Sequence, residues 1–156
     1  MLLVLIRYDL DTLAGARPQF EQIGLTADDV CDLSSYFRRI GFWRMDIEQG
    51  LTYWTRGVFD IFGMEFRDGP VSLTEANAVI HPNDLGPMLE IVEQAAVNRL
   101  PFHAIVRLRS RGSEFRFIRS VGKYRKSDDG KPEFVGMIYE FFEPIRTLGM
   151  AAHADE

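Results

Sequence analysis

The residues of this 156-residue chain whose types could do chemistry are few and scattered. His81, His103 and His153 each carry an imidazole that titrates near neutrality, which suits a general base or a metal ligand. None stands at a ligand-set spacing with another histidine or with the single cysteine, Cys31, so no zinc or other metal site is expected. Cys31 has no partner for an intramolecular disulfide and no neighbouring Lys, Arg or His to lower its pKa, so it reads as a packing residue of a reducing compartment. The carboxylate pairs Asp28-Asp29 and Asp128-Asp129 lie at a helix start and in a turn, where acidic side chains are structural. Arg111-Gly112-Ser113 is a turn and no phosphate cradle. With no nucleophile-base pair to name, the chain is expected not to be an enzyme.

Binding is the better-supported chemistry. Between 104 and 126, Arg107, Arg109, Arg111, Arg116, Arg119, Lys123, Arg125 and Lys126 face only Glu114, and Phe115 and Phe117 interleave with them. Arginines and rings in alternation can track single-stranded nucleic acid. On strands, however, alternation places charge in solvent, and the whole chain carries −5. A solvated sheet edge or an acidic protein partner is therefore expected, with no nucleic acid and no membrane insertion. Trp43, Met45, Trp54, Phe59, Phe62, Ile80, Met88, Ile91 and Phe102 could line an apolar pocket between a sheet and helices, large enough for a small apolar ligand.

The elements that position these residues follow from periodicity and punctuation. Residues 1 to about 25 show no sustained period. The apolar start Met1-Leu-Leu-Val-Leu-Ile6 stops at Arg7 without a cleavage signature, and no stretch reaches transmembrane length, so a cytoplasmic location is expected. Thr26-Ala27-Asp28-Asp29 reads as a capping box opening a helix with an apolar stripe of Val30, Leu33, Phe37 and Ile40, ended by Gly41. From Phe42 the period becomes two, and a turn at Gln49-Gly50 returns Leu51–Trp54 as the second strand of a hairpin. Thr55 caps a short helix to Phe62 before Gly63. Ser72 and Glu75 form a second capping box for a helix to Ile80. Asn83 or Asp84 caps a longer helix, with Pro87 in its first turn and a stripe of Leu85, Met88, Ile91 or Val92, Ala95 and Ala96.

Three strands complete the order, Phe102–Ser110, Glu114–Lys126 and Phe134–Glu143, with turns at Arg111-Gly112 and Asp128-Asp129-Gly130. Strands and helices do not alternate, which predicts an α+β domain with a five-stranded antiparallel sheet and helices on one face. In the last strand Phe134, Ile138 and Phe142 share one face while Val135, Met137, Tyr139 and Phe141 share the other. Both faces therefore need cover.

Over residues 41–143 this pattern resembles a PAS domain of the bacterial sensor type. Gly41-Phe42-Trp43-Arg44-Met45-Asp46 is similar to that family's opening strand, and Thr55 through Gly63 to its first short helix. His81-Pro82-Asn83-Asp84 matches a His-Pro-x-Asp turn into the longest helix, and Arg107–Arg109 with Phe115–Ile118 the paired central strands. Gly136 through Glu143 resembles the closing strand, although Glu140-Phe141-Phe142 replaces the usual Asp-Ile-Thr. The resemblance implies a signalling role, places His81 in a structural turn rather than on haem, and leaves Cys31 off the helix that faces flavin in photosensors. Neither cofactor is expected.

The resulting division is a lead-in and cap helix over 1–40, a PAS domain over 41–143 and a tail over 144–156 too short for an output domain. A free-standing regulator is expected, acting in trans on a partner such as a histidine kinase. A homodimer is expected through Val30, Leu33, Phe37 and Ile40 of the helix and Val135, Met137, Tyr139 and Phe141 of the outer sheet face. The alternative is a sensor holding an apolar metabolite in the pocket.

Overall fold

The computed structural model describes residues 18–109, 115–141, 148 and 150. The chain divides into two compact units, Met1–Tyr36 and Phe37–Glu156.

In the first unit a 3-10 turn, Phe20–Ile23, closes on Gly24 in the left-handed region, and α1 spans Ala27–Ser35. The Thr26 Oγ1 accepts the Asp29 amide at 3.1 Å while the Asp29 carboxylate accepts the Thr26 amide at 2.7 Å. That is the reciprocal cap read from the sequence. The helix ends five residues earlier than the stripe to Ile40 suggested. Ser34 and Ser35 turn their hydroxyls back onto the Val30 and Cys31 carbonyls, a competition that weakens a last helical turn. Tyr36 then goes extended and Phe37 takes φ 57. Cys31 is exposed and not packed.

The second unit is built on a six-stranded antiparallel sheet of order β3-β2-β1-β6-β5-β4, with β1 Ile40–Asp46, β2 Leu51–Trp54, β3 Val71–Ser72, β4 Phe102–Leu108, β5 Arg116–Lys126 and β6 Pro132–Phe141. The strand beyond the expected five is β3, whose two residues pair with Leu51 and Thr52 and are too short to show a period. Ile40 and Gly41, read as the end of the leading helix, belong to β1 opposite Tyr139 and Ile138. Gly41 serves a close approach rather than a left-handed stop: a Cβ there would lie 2.5 Å from the Val58 side chain.

Three helices cover one face: α2 Arg56–Phe62, α3 Leu73–Asn77 and α4 Pro82–Asn98. Val58 and Ile61 of α2 meet Ile80, Val106, Leu108, Ile118 and Ile138 in the core. Gly63 ends α2 in the left-handed region, but Thr55 gives it no side-chain cap. Its hydroxyl accepts the Phe42 amide at 2.9 Å and so ties α2 to β1. Ser72 caps α3 through the Glu75 amide at 3.2 Å. The Glu75 carboxylate does not complete a box, because it pairs with Arg67 at 2.7 Å. The helix also stops at Asn77, and Ile80 bridges to Leu108 of the β4 edge.

The N-cap of α4 is His81, two residues before Asn83 and three before Asp84, with Pro82 at the first helical position. Pro87 consequently lies inside the helix beyond its first turn and removes one amide from the ladder. In β6, Phe134 and Ile138 are buried on the helix side. Phe142 and the Arg111-Gly112 turn lie outside the described residues.

Candidate functional site

The site is assembled by a single row across the sheet. Trp54 pairs with Trp43, Trp43 with Gly136, Gly136 with Gly122 and Gly122 with Phe102. A Cβ on Gly136 would overlap the Trp43 indole and the Val121 carbonyl, and one on Gly122 would lie 2.6 Å from the Phe102 Cζ. The two glycines therefore let both rings lie down over the middle of the sheet, with centroids 6.1 Å apart and planes tilted 34°.

Between these rings and α3–α4 is a cavity of about 450 Å³, within the roughly 300–1,000 Å³ of small-molecule sites. Trp43, Met45, Trp54, Phe62, Ile80, Met88 and Phe102 line it, as does Ala104. Phe59 and Ile91, named with them from the sequence, do not. Phe59 is fully buried, edge-on to Trp54 at 5.1 Å and to Phe66 at 5.5 Å. On α4 the facing residues are Met88, Leu89, Val92, Glu93 and Ala96, so Ile91 is turned one position away.

Sequence reasoning missed the polar members of the lining, Thr52, Asn77, Glu93 and Ser120. Their signals were present: Ser120 alternates with inward Ile118, and Glu93 stands four residues after Leu89. Thr52 is committed internally, accepting the Trp54 indole N–H at 3.0 Å and donating to the Arg44 carbonyl at 3.2 Å. Among the described residues the Asn77 amide, the Ser120 hydroxyl and the Glu93 carboxylate have no such partner.

The His81-Pro82-Asn83-Asp84 segment is a fastening. The His81 Nδ1 accepts the Asn83 amide at 3.2 Å, and its ring meets Phe115 edge-on at 5.1 Å. The Asp84 carboxylate, expected as a cap, leaves its helix and accepts the Arg107 Nη2 at 2.6 Å, Nε at 3.0 Å and backbone amide at 2.8 Å. It thereby closes one free amide of edge strand β4. Burial alone would raise the Asp84 pKa, but the Arg107 side chain, backbone amide and charge, with His81, hold it below the ordinary carboxyl value. His103 is exposed on β4 and His153 lies outside the described residues. Among the described residues no group of His, Cys, Asp and Glu could hold a metal ion.

The opposite sheet face is mixed and partly open, its apolar side chains interleaved by register with Arg44, Arg119, Lys123 and Arg125. Ile40, Phe42, Val135, Met137, Tyr139 and Phe141 share it, with Val121, Ile105 and Phe117 beside them by register. Phe42 and Phe141 are each 46% exposed and Ile105 44%. The Arg38 guanidinium lies 4.4 Å above the Tyr139 ring, whose hydroxyl accepts the Arg119 Nη1 at 2.8 Å. Of the other expected interface residues, Phe37 is exposed at the start of this unit, while Val30 and Leu33 belong to the first unit, Leu33 being exposed.

The cations of 104–126 are largely used within the domain. Arg107 pairs with Asp84, Arg116 with Glu140 at 2.6 Å, and Arg125 with buried Glu133 at 2.7 Å. Arg109 reaches the Ile80 carbonyl at 3.3 Å. Arg111 and Glu114 lie outside the described residues.

Comparison with known proteins agrees with this architecture. Among solved structures, the chain is similar to a domain of a sensory box histidine kinase/response regulator from Burkholderia thailandensis, at 24% identity and TM-score 0.56, covering 71% of this chain and 82% of that one. It is similar to the N-terminal domain of a diguanylate cyclase with PAS/PAC sensor from Marinobacter aquaeolei, at 16% identity and TM-score 0.56, covering 65% and 94%. A domain of a putative light and redox sensing histidine kinase from Haloarcula marismortui gives 15% identity and TM-score 0.58, covering 74% and 99%. At these identities the likeness is one of fold. No curated protein matches the chain. A family profile described as the PAS fold matches residues 51–138, more than half of the sequence, from the start of β2 into β6. The chain belongs to the PAS-fold family.

Proposed function

We propose that this PAS protein is a signalling regulator that works by binding other proteins, as a homodimer through the outer face of its sheet, with its output delivered in trans. The observation that carries the reading is the set of exposed apolar side chains on the sheet face opposite α2–α4, led by Phe42, Phe141 and Ile105. Large apolar side chains exposed together on one sheet face are characteristic of association surfaces. The partner in this reading is a kinase-type signalling protein of the cytoplasm, a choice supported by the histidine kinases named among the similar solved structures, and the domain itself acts by contact rather than by catalysis. No helix among the described residues is long and apolar enough to cross a membrane.

Light scattering coupled to gel filtration tests this directly. The expected result is a dimer that becomes a monomer with an unchanged thermal melt in Phe42→Asp/Ile105→Asp, since both side chains are already exposed. A wild-type monomer throughout the micromolar range would remove the dimer from the proposal.

A second reading is favoured by the cavity: a sensor for a small apolar metabolite, whose binding shifts the population of an interaction-competent surface. Native mass spectrometry with a visible absorption spectrum of freshly purified protein separates the two. Excess mass that disappears in Ala104→Phe supports the sensor, and a mass equal to the bare chain supports the interaction reading.

A further inference from the structure

The lining has a sharp chemical bias. Its side chains are aromatic or aliphatic apart from Thr52, Asn77, Ser120 and Glu93, and no Lys, Arg or His is among them. The carboxylate of Glu93 is thus the one charged group on the cavity wall. It stands beside Leu89, which is 42% exposed, so the two mark the solvent side of the site. Nothing nearby on the helix offsets it: α4 contains no basic residue, and Glu90 adds a second acid one turn away. Trp43 and Trp54 supply the two indoles of the wall.

A ligand carrying phosphate or carboxylate would meet Glu93 and no counter-charge here. A ligand with a flat apolar body would fill the space between the Trp43 and Phe102 rings and α3–α4. A cationic end would reach Glu93, while Asn77 and Ser120 remain as neutral hydrogen-bonding groups. We infer that the cavity takes an aromatic amine, with its ring system between Trp43, Trp54 and Phe102 and its ammonium group at Glu93, and that it discriminates against anionic ligands of the same shape. This rests on the sensor reading and specifies what is sensed.

Three probes that share one ring and differ in charge test the inference: tryptamine, 3-ethylindole and indole-3-propionate, titrated calorimetrically into the full chain. Tryptamine is expected to bind severalfold tighter than 3-ethylindole and roughly tenfold tighter than indole-3-propionate, the scale of attraction plus repulsion at a solvent-side carboxylate. In Glu93→Gln, a change at an exposed position, the ranking by charge should vanish while 3-ethylindole keeps its affinity within about twofold. Ala104→Phe should abolish binding of all three.

Equal affinities for the amine and the acid, or a charge ranking that survives Glu93→Gln, would overturn the assignment of ligand class alone. Binding unaffected by Ala104→Phe would place the probes elsewhere and overturn it as well. Absence of heat and of thermal stabilisation with every probe would overturn the sensor reading itself.

Discussion

At the scale of single residues, the most consequential group is Asp84, because one carboxylate holds both a helix start and a sheet edge. It is 7% exposed and accepts three hydrogen bonds from Arg107. Asp84→Asn breaks the charge balance and leaves the guanidinium half-buried without its partner, so a loss of about 2–4 kcal/mol is expected in urea unfolding. The pH dependence has a defined sign. Since the folded pKa of Asp84 lies below its ordinary value of 3.8, its contribution is complete above that value and disappears as pH falls through the lower folded pKa. The stability gap between wild type and Asp84→Asn should therefore be full at neutral pH and shrink only below about pH 4. Removing the cap with His81→Ala should cost less, about 1 kcal/mol.

At the scale of elements, glycine determines how closely strands, rings and α2 approach. A Cβ on Gly57 would run into the Ile40 carbonyl and lie 3.1 Å from the Gly41 Cα. Gly57→Ala should therefore destabilise by about 3 kcal/mol or prevent folding. Gly136→Ala meets backbone as well as indole and should cost about 1–3 kcal/mol. Gly86 is the control: it lies within α4 with open space around its Cα, and Gly86→Ala should stabilise by roughly 0.5–1 kcal/mol. Thermal melts of the three variants check the order.

These glycines also show what the sequence could and could not reveal. The hairpin, the short helices, the long helix and the inward phase of β6 were legible because each is set by local period and punctuation. Gly41 was misread as a helix stop because a close approach to Val58 is a tertiary fact with no local signature. The same holds for Ile40, which periodicity placed on a helix and pairing with Tyr139 placed in a strand. In the cavity the large apolar residues were legible by type, whereas Asn77, Ser120 and Glu93 were passed over because polarity argues against burial until the neighbouring helix is in place.

At the scale of the whole molecule, the positive segment 104–126 is only in part a positive surface. Arg107, Arg125 and Arg116 pair with Asp84, Glu133 and Glu140, so part of the segregation seen along the chain is offset by contacts across it. Fluorescence anisotropy with a labelled single-stranded oligonucleotide should accordingly show no binding at about 0.15 M salt. Saturable binding there would reinstate the nucleic-acid reading. The face left for partners combines exposed Phe42, Phe141 and Ile105 with Arg44, Arg119 and Lys123, so its associations should weaken as salt rises.

The paired glycines under Trp43 and Phe102 carry one more consequence. Because a methyl group at either position would collide with a ring, the centre of the sheet wall tolerates little substitution, and an evolving lineage can retune what the chamber holds mainly from its helical side and from the strand positions around that centre, such as Ala104. Divergence among descendants should accumulate along α3 and α4 while that floor stays unchanged, as with a lock whose barrel is fixed and whose pins alone are recut.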